Sequence, residues 1–367
     1  MSVPSIKLNV VIFNKYQHLS YGGGTSLFSY MIAIFSSVDD KSTNHIIDWL
    51  RYWNKQFIRV NDNFTYINND RLEQNELTIH LDKQNDNISF LGRNMFDITS
   101  IYYRRPRNNN LDFYHPISVG NIDAQLINEL NSKLKSYSHT LKEYIIRKID
   151  TNAKTIIGYY HRTKLNKLVA LSAAKEVGLA IPNTIVTNSA KEACDFFYKN
   201  NRSIISKPIE EMFYYSESDH YYYNSVLHIT SISKIKAQNI DYSLFQEYIA
   251  KKYELRIFYI HGVLYTSAIF SQNNPKTRVD FRNYDMTYPN KIVPYNLPEI
   301  ICEKIRMLMN MLNLNTGSID MLVTTKNEYF FLEINPIGQY GFISKYCNAD
   351  LNYIIAKILS NEEPSTI

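Results

Sequence analysis

Cysteine is scarce: Cys194, Cys302 and Cys347 are the three in the chain, far apart and odd in number. They form neither a disulfide framework nor a zinc-ligand pattern, and a reducing cytoplasm suits such usage. No apolar run approaches the ~18 residues a membrane-spanning helix needs. The early apolar run, Val10-Val11-Ile12-Phe13, is too short for a signal peptide and no small-residue cleavage site follows it. Charge is nearly balanced, with 40 Lys and Arg against 35 Asp and Glu. The resulting +5 is too small and too dispersed for a nucleic-acid binder. No Ser/His/Asp or Cys/His constellation is recognisable, and His115 and His161 stand alone without an assigned role. Glycine is absent between Gly178 and Gly262.

What is present reads as an α/β chain. Residues 1–30 are weakly patterned, and Gly22-Gly23-Gly24-Thr25-Ser26 has the composition of a flexible linker. These residues are expected to be an extension, and Met31-Ile32-Ala33-Ile34-Phe35 the first strand. Ser42 to Trp53 predicts a helix capped by Ser42 or Thr43, with Ile46, Ile47, Leu50 and Trp53 on one face. Strands are expected at 57–60, 77–81 and 100–103, and a long helix at 122–149. A helix over 163–180 ends at Gly178, and extended chain begins at Pro182. A helix at 189–199 precedes the strand Ser203 to Pro208. Further strands are expected at 244–250, 255–259 and 263–270, then a helix at 298–313, a hairpin at 317–335 and a last helix at 349–359.

The hairpin carries the strongest signal: Gly317-Ser318-Ile319-Asp320-Met321-Leu322-Val323, then Tyr329-Phe330-Phe331-Leu332-Glu333-Ile334-Asn335-Pro336. A two-residue turn at Lys326-Asn327 pairs Asp320 with Glu333, and Asn335 shares a face with Glu333. Facing carboxylates repel, and a hard cation removes the conflict; two carboxylates and an amide oxygen suit Mg²⁺. Read alone, this is equally an amphipathic hairpin with polar residues facing solvent.

The string resembles the C-terminal metal motif of ATP-grasp ligases, an α/β fold with an N-terminal α/β (pre-ATP-grasp) domain. The resemblance implies Asp320, Glu333 and Asn335 as ligands of the magnesium that bridges the phosphates of ATP. It divides the chain into an N-terminal extension or appended peptide (1–30), a pre-ATP-grasp domain (31–125), a central subdomain (126–240) and a C-terminal subdomain (241–367). It also implies phosphate contacts for Lys167, in "NKLVALSAAKEVGLAIP", and Lys207, in "SIISKPIE". Taken singly, Lys167 is a solvated lysine and Lys207 one that snorkels off a strand end. In "FQEYIAKKYELRIFYIHG" the resemblance implies adenine on the hinge backbone at Glu247, Tyr248 and Ile249, ribose near Glu254, and Arg256 at the phosphates. A surface ion pair of Glu254 and Arg256 is the other reading. The glycine-rich phosphate lid of many ATP-grasp enzymes is missing; "EMFYYSESDHYYYNS" (211–225) stands in its place, and none of its residues is assigned.

From Met31 on, "STNHIIDWLRYWNKQFIRVND", "DITSIYYRRPR" and "SAIFSQNNPKTRVDFRNYD" resemble the graspetide synthetases, peptide maturases of the grasp-with-spasm type. The function implied is activation of Asp or Glu side chains of a ribosomally made precursor peptide as acyl-phosphates, then capture by a Thr or Ser hydroxyl or a Lys amine. Arg282 would lie near the reacting carboxylate, in a basic cluster with Lys276 and Arg278. The rivals are a ligase of free amino acids and a non-catalytic ATP-grasp peptide binder. Neither nucleic acid nor membrane is an expected partner, and oligomeric state stays open, a homodimer being one option.

Overall fold

The computed structural model describes residues 30–361, apart from 62–65, 69–70, 74–76, 84–85, 91–92, 107–112, 114–122, 211–213, 218–219, 224–225, 237–239, 284 and 286. Met31–Phe35 is buried along its whole length, as a strand flanked on both edges must be. It pairs in parallel with Gln56–Val60 on one side and Ile98–Tyr103 on the other. The crossover is the helix Lys41–Tyr52, which buries Ile46, Ile47 and Leu50. Its cap is Asp40, not Ser42 or Thr43: the Asp40 carboxylate accepts from the Thr43 N–H (2.9 Å) and hydroxyl (2.7 Å). Helix Ala124–Asn152 buries Ile145, Ile146 and Ile149 and leads to Thr155–Ile157, parallel to Ile98–Tyr103. The expected strand at 77–81 is Leu77–His80; it pairs with Asn87–Phe90 in a separate small sheet.

The strands Thr184–Thr187, Ile204–Lys207, Leu227–Ile229 and Ser243–Glu247 make an antiparallel sheet backed by helix Ala190–Lys199. Phe197 and Ala193 of that helix pack on Ile204, Ile229 and Phe245. A second antiparallel sheet runs Lys291–Pro294, Val263–Phe270, Lys251–Ile260, Thr316–Thr324, Tyr329–Asn335. One of its cores is completed by helices Lys167–Glu176 and Glu299–Met311. The other joins Phe258 and Ile260 to Ile32, Ile34 and Tyr102 of the N-terminal sheet and to the last helix, Leu351–Leu359. The long helix packs on the N-terminal sheet, and Ser243–Glu247 pairs within the central one.

The helix expected over 163–180 begins at Lys167, because Asn166 caps it by accepting from the N–H groups of Leu168 and Val169. Gly178 follows in the left-handed conformation (φ +79°), as its sequence position implies.

Candidate active site

The last hairpin reaches the expected pairing by an unexpected route. Its turn has three residues, with the Thr324 N–H on the Glu328 carbonyl (3.0 Å) and Asn327 at φ +61°. Lys-Asn is a poor two-residue turn because Lys would need φ > 0, whereas the longer turn asks this of Asn alone. Such a turn by itself would set Asp320 opposite Leu332 and turn the carboxylates to opposite faces. A bulge at Leu332 restores the register, so Asp320 pairs with Glu333 and Ser318 with Asn335.

On its other side Asp320 pairs with Arg256. The Arg256 Nη1 lies 2.9 Å from Asp320 Oδ1, without the angle of a hydrogen bond. Phe281 and Phe342 both face that guanidinium, each ring 5.6 Å from it. Asp320 Oδ1 is thus a buried carboxylate oxygen that accepts no hydrogen bond among the described residues. Burial pushes the Asp320 carboxyl up to about 6, against the pull of Arg256 and with help from Glu333.

Asp320, Glu333 and Phe281 line a cleft between the two antiparallel sheets, with an empty volume of about 720 Å³; Arg256 and Phe342 stand behind this lining. Lys207 enters the cleft from the end of Ile204–Lys207. Although its side chain is only half-buried by area, desolvation in the cleft pushes it down to about 8; Lys167 and Arg282 add to this and Glu333 opposes it. Lys167 opens its helix, where a cation is unfavourable against the dipole. Its ammonium donates instead to the carbonyls of Pro208 (3.0 Å) and Glu210 (2.8 Å) and sits 4.0 Å from Glu333 Oε2.

Glu247, Tyr248 and Ile249 link the two sheets and line the cleft. The Glu247 carboxylate accepts from the Asn183 N–H and Nδ2 (2.9 Å each), so it braces the hinge. The N–H groups of Glu247 and Tyr248 donate to Asn183 and Ser203 carbonyls; that of Ile249 has no backbone acceptor among the described residues. The Tyr248 ring stacks on His228, 4.2 Å between centroids. Glu254 lies deep in the same cleft, its Oε1 accepting from Lys251 Nζ (2.7 Å) and Ser271 Oγ (3.0 Å), and burial raises its carboxyl.

Arg282 reaches Glu333 Oε1 at 3.4 Å while Asp280 holds its guanidinium at 2.8 to 3.1 Å. Burial alone would raise the Asp280 carboxyl; Arg282 outweighs it and holds it below the usual range. The expected cluster of Lys276, Arg278 and Arg282 does not assemble. Lys276 and Arg278 are exposed, because buried Thr277 and Asp280 pin this irregular loop so that Arg282 alone of the three lines the cleft. Asn335 lies on the far side of Glu333, lining an adjoining hollow of about 1370 Å³ that shares Lys207, Arg282 and Glu333 with the cleft. Its Oδ1 accepts from the Ile337 N–H at 3.1 Å. In the place of a glycine-rich lid, Tyr214–Glu217 and His220–Tyr223 pair as an antiparallel hairpin.

Sequence reading passed over Asp280 and Lys251. Their signals were local: a carboxylate two residues before Arg282, and a lysine three before Glu254 on the far side of a strand irregularity. A buried carboxylate oxygen without a hydrogen bond, facing a second carboxylate beside Lys207, fits a hard divalent cation.

No family model and no curated protein matches the chain. Solved structures do. A RiPP-associated ATP-grasp ligase of Chryseobacterium gregarium, in complex with ADP and a leader and core peptide, is 24% identical, with a TM-score of 0.71 over 91% of this chain and 97% of that one. The macrocyclase MdnC from Microcystis aeruginosa, bound with precursor peptide MdnA, is 24% identical, with a TM-score of 0.65 over 90% and 99%. D-alanyl-alanine synthetase A from Vibrio cholerae is 13% identical, with a TM-score of 0.52 over 92% and 99%. With two antiparallel sheets clasping a cleft and a mixed N-terminal sheet beside them, the chain has the ATP-grasp fold.

Proposed function

We propose that this protein is an ADP-forming, ATP- and Mg²⁺-dependent ligase that activates Asp or Glu side chains of a ribosomally made precursor peptide and joins them to side-chain hydroxyls or amines. The observation that carries the reading is Asp320 Oδ1, buried without a hydrogen bond, opposite Glu333, where the cleft meets the adjoining hollow. Support for a peptide substrate comes from the solved structures of similar fold, which hold a leader and core peptide or a precursor peptide.

In this reading the adenine edge lies on the hinge, where the Ile249 N–H is available, and the ribose lies toward Glu254. Lys167 and Lys207 face the phosphates; at about 8, Lys207 is mostly protonated at neutral pH, and bound phosphate raises it further. Asp320, Glu333 and Asn335 would hold Mg²⁺, which supplies neutralisation of phosphate charge when bound. The precursor carboxylate attacks the γ-phosphorus in line and ADP leaves. Arg282, held by Asp280, and Arg256, facing Phe281 and Phe342, present fixed positive charge to the new acyl-phosphate. A peptide hydroxyl or amine then attacks its carbonyl carbon, phosphate leaves, and the nucleophile's proton passes to solvent. No enzyme nucleophile is required. Net, each ring consumes one ATP, releases ADP and phosphate, and removes one water from the peptide.

Incubation with the precursor, ATP and Mg²⁺ tests this by mass spectrometry and nucleotide chromatography. The expected result is loss of one water mass per ring with one ADP. A gain equal to an amino acid would establish the free amino-acid ligase instead, and AMP formation would overturn the acyl-phosphate route.

A further inference from the structure

A buried cation ties the N-terminal sheet to the loop that follows the strand of Glu333 and Asn335. Arg104 follows Ile98–Tyr103, and 3% of its surface is exposed. Its Nη1 donates to the carbonyls of Ile337 (2.8 Å) and Gly338 (3.0 Å). Its Nε lies 3.6 Å from Asp40, the carboxylate that caps the first helix, and its guanidinium sits 5.1 Å from the centre of the buried Tyr340 ring. The loop it grips is the one that leaves Asn335. There the Asn335 side chain holds the Ile337 N–H, the Gly338 N–H returns to the Asn335 carbonyl (3.0 Å), and Ser318 Oγ donates to the Gln339 carbonyl (3.1 Å). The loop's outward carbonyls are thus fixed by Arg104 and its inward groups by the hairpin itself.

We infer that Arg104 is a positioning residue for the metal site: by clamping the Ile337 and Gly338 carbonyls it sets the direction of Asn335, and so the Mg²⁺-dependent part of nucleotide binding. This rests on the metal assignment proposed above. A planar guanidinium suits the task because one nitrogen serves both carbonyls while the remainder stays ionised against Asp40 and the Tyr340 ring. Partners of metal ligands typically contribute about 10- to 100-fold to metal affinity.

The test is calorimetric titration of the full chain with a non-hydrolysable ATP analogue, in Mg²⁺ and in EDTA. Wild-type protein should bind more tightly in Mg²⁺; absence of that gain would refute the metal assignment itself. Given the gain, Arg104→Met should lose about tenfold or more of it while affinity in EDTA changes less than twofold, and Arg104→Lys should fall between. A purely structural role would weaken both affinities alike, and that result, or an undiminished gain, would overturn the inference. If Arg104→Met does not fold, Arg104→Lys decides by the same criterion. Arg104→Met should add nothing to Asn335→Ala, since the two act on one group; additive losses would also overturn it.

Discussion

At the residue scale, Asp320 is the side chain whose environment makes least sense without a ligand. A carboxylate desolvated this far is costly unless neutralised, and Arg256 alone leaves its Oδ1 without a hydrogen bond. Asp320→Ala is a blunt probe, because stripping Arg256 of its buried partner costs about 3–5 kcal/mol. Asp320→Asn and Glu333→Gln keep volume and polarity. Each should lower ADP release by about 10²-fold or more, with circular dichroism unchanged. Near-normal turnover of either at saturating Mg²⁺ would remove these residues from the metal site. Lys167, by contrast, was legible from its place at a helix start, but its tie to the Pro208 and Glu210 carbonyls was not. Those groups lie 41 and 43 residues away, and a strand end brings them close.

At the element scale, the hairpin shows how a right residue pair can rest on a wrong turn. A three-residue turn and a bulge at Leu332 offset one another, and only the buried face decides between registers. Met321, Val323, Phe331 and Ile334 belong to one core on the face away from the cleft, so a slip would expose them and bury the carboxylates without partners. The following loop closes against the same strand at Gly338, where an added Cβ would lie 2.4 Å from Ser318 Cβ. Gly338→Ala should therefore destabilise by about 1–3 kcal/mol, read as a lowered Tm. Ser318→Gly in the same chain should restore part of the loss. An unchanged Tm for Gly338→Ala would show that the loop can move away.

At the scale of the whole molecule, the two antiparallel sheets meet around one cleft, and a shared core ties the N-terminal sheet to the last helix. Trp49 meets Tyr353 edge to face at 5.0 Å, and Tyr30 bonds to Ser100 Oγ (2.7 Å) and to the Leu359 carbonyl. Residues 1–29, expected to be an extension, lie outside the described residues. Tyr30, the last residue of the expected extension, is tied to the N-terminal sheet and to the last helix. A chain starting at Tyr30 should fold and bind ATP as the full chain does, whereas one starting at Met31 should melt at lower temperature. Calorimetry and thermal denaturation of the two check this, and loss of folding in the Tyr30 chain would make the earlier residues part of the core.

The sequence by itself determined many of the strands, though not Thr155–Ile157, Leu227–Ile229 or Lys291–Pro294, together with most helices and the identity of the chemical groups. Periodicity and cap residues are local, so Met31–Phe35, Lys41–Tyr52, Glu299–Met311 and the Asp320, Glu333 and Asn335 spacing could be read from neighbours alone. Tertiary structure decided what depends on distant partners. It turned Arg282 to the cleft and left Lys276 and Arg278 in solvent, set the Leu332 bulge, and brought Arg104 across 233 residues to the Ile337 carbonyl. The reason is physical: side-chain identity and local pattern set which surfaces must be buried, but the direction of a guanidinium or the charge of a carboxylate depends on what the rest of the fold packs against it.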